Sequence, residues 1–120
     1  MSSESVIVAQ CLEWLALHRV FAWCNNTGAG RIDGRWIRYG HPGSGDILGI
    51  LPSGLFLSVE CKTPTGRQAK QQKLFQKMIE RNCGVYILAR NAADLERHLI
   101  EHPRFATFGL NLGGRNGLGK

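Results

Sequence analysis

The chain has few acidic residues, no long hydrophobic run and no closely paired cysteines. No apolar run approaches the roughly 20 residues of a membrane span, and the start, Met-Ser-Ser-Glu, has neither the basic region nor the apolar core of a signal peptide. The four cysteines form no Cys-x-x-Cys motif and have apolar neighbours, so we expect buried free thiols at Cys11, Cys24, Cys61 and Cys83. These absences predict a protein of the reducing cytoplasm.

The scarcity of acids leaves the chain basic. Nine Asp and Glu stand against fifteen Lys and Arg, which gives a formal net charge of +6 at pH 7. Ten of these fifteen are Arg, which suits forked contacts to phosphate. A polyanionic partner is favoured, although many small proteins are modestly basic for solubility alone. With 120 residues, 43% of them apolar, we expect a single domain over 1–120 with a flexible Gly-rich tail at about 111–120.

Hydrophobic periodicity and turn residues predict an alternation of helices and strands. We expect helices from Ser2 or Ser3 to about 18, over 68–82 and over 92–102. We expect strands at 20–23, 46–51, 55–62 and 84–89, a hairpin over 31–39 and a short last strand at 105–108. The second helix should bury Leu74, Phe75, Met78 and Ile79. The three tryptophans are expected in the core or at an interface, with base-stacking platforms as the less favoured alternative: Trp14, Trp23 and Trp36.

Two carboxylates and a lysine form the most informative pattern. Asp46 follows Gly43-Ser-Gly45 and opens one predicted strand, while Glu60 and Lys62 lie on the next. Strand side chains alternate between faces, so residues 57, 59 and 61 should enter the core and Glu60 and Lys62 should point the other way together. Burying a charge costs several kcal/mol unless it is paired or bound to a metal. The pattern therefore favours a metal-dependent phosphodiesterase, with a surface salt bridge as the alternative.

Two further polar residues are candidates for the same site. Gln72 lies at the edge of the apolar face of the second helix, where its amide could reach a metal-bound water or a phosphate; the alternative is a solvated glutamine. Glu4 could supply a third carboxylate if the first helix begins over the edge of the sheet. An acid in a first helical turn is, however, also favoured by the helix dipole.

Basic and amide side chains elsewhere are candidates for contacts with DNA phosphates. They lie in the 25–28 segment, on the predicted hairpin, in the glycine loop before Asp46 and on the second helix. Ordinary turn and solvated-surface roles remain open for them. His98 and His102 have i, i+4 spacing, but no third ligand lies near them in the sequence, which argues against zinc. The candidates are Asn25, Asn26, Thr27, Arg31, Arg35, Arg38, Ser44, Arg67, Lys70, Lys73 and Lys77.

Taken in order, these motifs resemble the VRR-Nuc domains of the PD-(D/E)xK nuclease superfamily. The resemblance extends from Glu4 to about His102. Cys61 replaces the Val or Ile that usually stands between Glu and Lys, on the side that faces the core, and leaves the chemistry intact. The matching elements are Glu4, Asn25-Asn-Thr-Gly28, Gly43-Ser-Gly-Asp46-Ile-Leu-Gly49, Val59-Glu-Cys-Lys-Thr-Pro64 with Gly66-Arg67, Gln72-Lys-Leu-Phe75 and Gly84-Val-Tyr86.

The resemblance implies an α/β fold with a restriction-endonuclease-like core, in which helices flank a mixed central β-sheet. It implies Mg²⁺ or Mn²⁺ as cofactor and hydrolysis of DNA phosphodiester bonds. The implied metal ligands are Asp46, Glu60 and the backbone carbonyl of Cys61, with Glu4 as a possible further ligand. Lys62 would position the attacking water, and Gln72 would complete the site.

Small free-standing members of this family, often from bacteriophages, resemble enzymes that resolve four-way DNA junctions as homodimers. We therefore expect a structure-selective endodeoxyribonuclease that acts as a homodimer on branched DNA, in a bacterial or phage-infected cell. A nuclease for duplex, flap or modified DNA within a restriction or replication assembly is a second hypothesis. A non-catalytic DNA-binding module is a third, which the intact Asp46, Glu60 and Lys62 argue against.

Overall fold

Three helices and six strands make up the part of the chain that the computed structural model describes, residues 3–101. The predicted strand at 105–108 and the predicted tail at 111–120 lie outside these residues. In chain order the elements are α1 (Glu4–Leu17), β1 (Phe21–Cys24), β2 (Gly28–Ile32), β3 (Arg35–Tyr39), β4 (Ile47–Ile50), β5 (Phe56–Cys61), α2 (Lys70–Arg81), β6 (Val85–Ala89) and α3 (Ala92–Glu101).

A mixed four-stranded sheet in the order β1-β4-β5-β6 forms the centre of the fold. β1, β4 and β5 are antiparallel neighbours, whereas β6 runs parallel to β5. A parallel neighbour requires a crossover connection, and α2 provides it. Among the described residues, β2 and β3 pair only with each other, as a hairpin inserted between β1 and β4. The described residues thus form a compact α/β domain, as the sequence predicted at this level.

The helices begin close to their predicted starts because polar side chains cap them. Ser3 accepts a 3.3 Å hydrogen bond through Oγ from the N–H of Val6 at the start of α1. Before α3, Oδ1 of Asn91 accepts a 2.7 Å bond from the N–H of Asp94. Between residues 3 and 101, none of the helices has the length and apolar character needed to cross a membrane.

The main hydrophobic core lies between the sheet and the pair of helices α1 and α3. α1 packs against β1 and β5, and α3 packs against β6 and α1. Leu57, Val59 and Cys61 are fully buried in this core, as predicted, while Ser58 and Glu60 between them are buried as well, so both faces of β5 are covered. The opposite face of β5 therefore points toward the side of the sheet on which α2 lies.

The predicted burial of the apolar face of α2 is wrong. Leu74 and Met78 are 46% and 50% exposed, and Phe75 and Ile79 are only half-buried. α2 packs mainly against β6, at one edge of the sheet. Phe75 contacts the ring of His41, with centroids 5.4 Å apart, but the rest of this apolar face is only partly covered by the described chain. Periodicity along one helix could not reveal how much of the face the sheet covers.

One expectation about the core needs correction. Cys11 and Cys61 are buried as predicted, but Cys24 and Cys83 are exposed. Trp14 is in the core, whereas Trp23 and Trp36 are 41% and 66% exposed, so for these two the interface expectation stays a prediction. Their positions explain this exposure, because Trp23 lies on the edge strand β1 and Trp36 lies on the inserted hairpin.

Candidate metal and nucleic-acid site

The β4–β5 hairpin brings Asp46 and Glu60 together, as their spacing predicted. Ile47 pairs with Val59 in the antiparallel register, so Asp46, one residue earlier, stands opposite Glu60. Oδ2 of Asp46 accepts a 2.7 Å hydrogen bond from the backbone N–H of Cys61. This bond fixes the carboxylate at the end of β5, beside the strand that carries Glu60.

Glu60 is a buried carboxylate with an incomplete set of partners. Its side chain is 2% exposed. Oε2 accepts a 2.7 Å hydrogen bond from Nε2 of Gln72 and lies 3.6 Å from Nζ of Lys62. Within the described residues, Oε1 is buried and has no hydrogen-bond partner. Such an oxygen is costly to bury, so its presence calls for a physical reason.

The environment of Glu60 opposes its ionisation. Burial, followed by the negative charge of Asp46, raises the pKa of Glu60 from an ordinary value of 4.5 to about 8. The charge of Glu4 raises this pKa further, and Lys62 lowers it only in part. Two acidic groups are thus held together where one of them resists losing its proton, an arrangement that is common at functional sites.

Gln72 joins this site, as the sequence suggested. Its Nε2 donates to Glu60, and its Oε1 accepts a 2.7 Å hydrogen bond from the N–H of Ala69 at the start of α2. The same amide therefore closes the first turn of the helix and orients the buried carboxylate. A solvated glutamine, the alternative, does not describe this geometry.

The glycine loop before Asp46 packs tightly against its surroundings. A Cβ at Gly45 would collide with Oγ of Ser58 and with the carbonyl of Val59, and a Cβ at Gly43 would collide with the backbone of Gln71. Gly43 also has φ of +80°, which favours glycine. These close approaches explain why the loop requires glycine, and they bring the start of α2 next to Asp46.

Asn25 holds the same loop from the other side. Its Nδ2 donates hydrogen bonds of 2.7 Å to Oγ of Ser44 and 2.9 Å to the carbonyl of Gly45, and its backbone N–H donates to the carbonyl of Asp46. The side-chain amide is therefore already used within the protein. Sequence reasoning proposed a phosphate contact for it and did not identify this positioning role.

The two remaining site candidates differ in how closely they approach Glu60. Lys62 has a side chain that is 12% exposed, and its Nζ lies 3.6 Å from Oε2 of Glu60. Glu4 is exposed at the first residue of α1, yet its charge raises the pKa of Glu60, so the start of α1 lies within electrostatic reach of the site. Ligation of a metal by Glu4 or by the Cys61 carbonyl stays a prediction.

The donor set fits a hard divalent cation. Asp46 and Glu60 supply carboxylate oxygens, the ligands that Mg²⁺ and Mn²⁺ prefer. A cation would also provide a partner for the orphaned Oε1 of Glu60 and would offset the repulsion that raises its pKa. In residues 3–101 no group of three or more His, Cys, Asp or Glu side chains is placed to hold a metal, so carbonyls and water would have to complete the shell.

Most of the predicted DNA-contacting side chains are exposed, and those on α2 and around its start flank the site. No ion pair within the described range engages any of them. Ser44 and Asn25 are half-buried in the loop described above. The exposed ones are Asn26, Thr27, Arg31, Arg35, Arg38, Arg67, Lys70, Lys73 and Lys77. Their contact with DNA stays a prediction.

An open basic cleft of about 690 Å³ lies beside the end of β5 and includes a residue that sequence reasoning missed. Arg67 and Lys73 contribute to its walls together with Arg90. Through Nη1, Arg90 donates hydrogen bonds to the carbonyls of Thr63 and Gly66, which fixes the loop after Lys62. The sequence could have indicated Arg90 as a site residue, because it directly follows β6, and the carboxyl ends of parallel strands lie on the same side of a sheet.

Comparisons of the chain with models of protein families, with curated proteins and with solved structures found no match.

Proposed function

We propose that the protein is a metal-dependent endodeoxyribonuclease that hydrolyses DNA phosphodiester bonds. One observation carries the proposal above the others: Glu60 is buried against Asp46 with one oxygen unpartnered. A purely structural carboxylate at this position would be destabilising without compensation, whereas a cation site gives the burial a reason.

The side chains around this pair suit phosphodiester chemistry. Asp46 and Glu60 would hold Mg²⁺ or Mn²⁺, which supplies charge stabilisation at a phosphoryl oxygen and lowers the pKa of a bound water. Lys62 offers an ammonium 3.6 Å from Oε2 of Glu60, where it can donate to an attacking water or to the phosphate and stabilise developing negative charge. Gln72 holds Oε2 of Glu60 in place and leaves Oε1 facing no protein donor in the described chain.

The fold arrangement is in keeping with the resemblance to VRR-Nuc domains. A restriction-endonuclease-like core would present a mixed sheet with helices on both faces. It would also bring an acid, a Glu-x-Lys motif and a glutamine together at the ends of the central strands, as Asp46, Glu60, Lys62 and Gln72 are here. The proposal therefore includes membership of that superfamily. It rests on ordered motifs and on their convergence in space.

Branched DNA is the proposed substrate, and a homodimer is the proposed form. Symmetric cutting of a four-way junction needs two active centres, and one chain has one.

Four apolar side chains on one face of the sheet are available for contact with a second copy. The β1–β4–β5 register places Phe21, Ile50 and Phe56 side by side, with Trp23 next to them. They are 37% to 69% exposed and carry no charge. Beside them lies the edge of β1, which pairs with no further strand in residues 3–101.

The decisive experiment is a cleavage assay with end-labelled four-way junction, flap, linear duplex and single strand, each in Mg²⁺, Mn²⁺ or EDTA. Glu60→Gln and Lys62→Ala should abolish cleavage, and Glu13→Gln, an exposed acid on α1, should not. Paired symmetric cuts in the junction alone would support the full proposal. Metal-dependent cutting of the other substrates would keep the nuclease and remove junction selectivity, and binding without any cleavage would favour a non-catalytic module.

A further inference from the structure

The β2–β3 hairpin has two chemically different faces. Arg31 pairs directly with Trp36, and Ala29 pairs with Arg38. Because directly paired residues and residues two apart share a face, one face of the hairpin carries Trp36 between two arginines. The other face carries Ile32, Ile37 and Tyr39 along with Arg35.

The arginine face has no packing role within the described chain. Trp36 is 66% exposed, and both flanking arginines are exposed. The contacts of β2 and β3 are predominantly with each other rather than with a helix or with the central sheet. An indole exposed to water on a two-stranded hairpin favours a partner, because indole burial is worth several kcal/mol to a complex.

The charge of the hairpin indicates what kind of partner this is. Three arginines lie between Gly28 and Tyr39, and the only acid there is Asp33, at the turn. Asp33 has φ of +51°, as a two-residue hairpin turn requires, so its presence has a local reason. Arginine around an exposed aromatic ring is suited to nucleic acid, where the guanidinium groups meet phosphates and the ring meets a base.

The hairpin is also fixed to the proposed active centre. Before β2, Asn25 bonds to Ser44, Gly45 and the backbone of Asp46, and after β3, Gly40 packs closely against Thr27. Both ends of the hairpin therefore leave the fold beside the carboxylate pair. Five residues per strand give a reach of about 17 Å, or roughly five nucleotides of one strand at 3.4 Å each.

We infer that this hairpin is an arm that binds DNA beside the cleavage site, with Trp36 stacking on a base whose face is exposed at a branch point and Arg31 and Arg38 holding the adjoining phosphates. The inference deepens the proposed function and rests on it for the identity of the substrate. It assigns selectivity for branched over continuous duplex DNA to a single side chain, because an intact duplex offers no free base face to an indole.

The test compares wild type, Trp36→Ala and Trp36→Phe for binding in EDTA, where cleavage cannot interfere. The probes are a four-way junction and a flap that carry 2-aminopurine at the branch point, and a linear duplex of the same sequence. Trp36→Ala should weaken binding to the branched probes about tenfold, as expected for one lost stacked base, and should remove the quenching of 2-aminopurine. Trp36→Phe should retain most of both, and duplex binding should be unchanged.

Other outcomes would overturn the inference. Equal affinity of Trp36→Ala and wild type for the branched probes would exclude stacking, and an equal loss on duplex would exclude branch selectivity. A change in sedimentation mass without a change in DNA affinity would assign Trp36 to a protein contact. The nuclease proposal is tested by a separate measurement. Failure of wild type to cleave in Mg²⁺ or Mn²⁺ would remove that function, whereas the binding comparison would still decide the role of Trp36.

Discussion

Gln72 and Glu60 are joined by a 2.7 Å hydrogen bond that connects the first turn of α2 to the buried acid of β5. The other end of the same amide accepts from the N–H of Ala69, so the glutamine cannot rotate without losing a helix cap. Helix α2 and the candidate site are therefore coupled through one side chain. In this arrangement both ends of the Gln72 amide are used within the protein, and its role is to position the carboxylate.

Replacing Gln72 with alanine should lower both activity and stability. The loss of the bond to Glu60 removes an orienting contact of a metal ligand, for which a 10- to 100-fold loss of cleavage or metal affinity is typical, and loss of the cap should cost about 1 kcal/mol in the free energy of unfolding. The matched control is Gln71→Ala, an exposed neighbour whose Cβ is preserved. Equal cleavage by the two variants would contradict a site role for Gln72. The measurements are cleavage rate and urea unfolding.

Local pattern was enough to predict the pair of carboxylates and not enough to predict their surroundings. Alternation along β5 and the turn at Pro52-Ser-Gly54 place Glu60 opposite Asp46 from the sequence alone. The order β1-β4-β5-β6 depends on pairing between distant segments, which a local pattern does not contain. The exposure of Trp23, the exposure of half of α2 and the hydrogen bonds of Arg90 depend on the same long-range pairing. Asn25 was read by residue type as a phosphate ligand, but its partners are 19 and 20 residues away.

The stability of the metal-free protein should fall as the pH rises. The pKa of Glu60 is raised by burial and by Asp46 to about 8, so the folded protein keeps a proton that the unfolded chain releases near 4.5. The contribution of Glu60 to the free energy of unfolding is thus complete below pH 4.5 and is lost progressively up to about pH 8. In this range the free energy of unfolding should fall by up to about 1.4 kcal/mol per pH unit. Urea unfolding in EDTA at several pH values measures it.

Glu60→Gln is the variant that isolates this effect, because its amide cannot ionise. Its free energy of unfolding should change less with pH than that of wild type, and Glu13→Gln should follow wild type. Parallel pH profiles for Glu60→Gln and wild type would show that the acid of β5 ionises normally and that the pH dependence arises elsewhere.

Magnesium should stabilise the folded protein through the same pair of carboxylates. A ligand that binds only the folded state raises its stability by an amount set by its concentration relative to Kd, about 2.7 kcal/mol at 100 times Kd. We expect Mg²⁺ or Mn²⁺ to raise the Tm of wild type at pH 8 and to have little effect on Asp46→Asn or Glu60→Gln. An equal rise in all three proteins would place the bound ion elsewhere, and this readout requires no substrate.

A charge placed in the apolar patch of β1 should separate the proposed dimer. Trp23 is 41% exposed beside Phe21, with ring centroids 5.2 Å apart, and a carboxylate there would be buried without a partner in a twofold contact. Trp23→Glu should therefore sediment as a monomer and lose symmetric junction cutting. Ile100→Glu is the control, since Ile100 is 44% exposed on α3, on the opposite face of the sheet. Dimers of Trp23→Glu would place the interface on another surface.

Removing charge from α2 should reduce the salt dependence of DNA binding. Lys73 and Lys77 are exposed on α2, whose first turn is bonded to the site through Gln72. Each phosphate contact contributes about 0.9 to the slope of log K against log salt concentration on duplex DNA. Lys73→Gln with Lys77→Gln should lower that slope by nearly two and weaken binding to every DNA shape alike, because phosphate contacts carry no shape information.

Arg19→Gln is the control, because Arg19 follows the far end of α1, about 20 Å along the helix from Glu4. A slope unchanged by the double substitution would remove α2 from the DNA-facing surface and leave the hairpin and the Arg67 cleft as the sources of phosphate contacts.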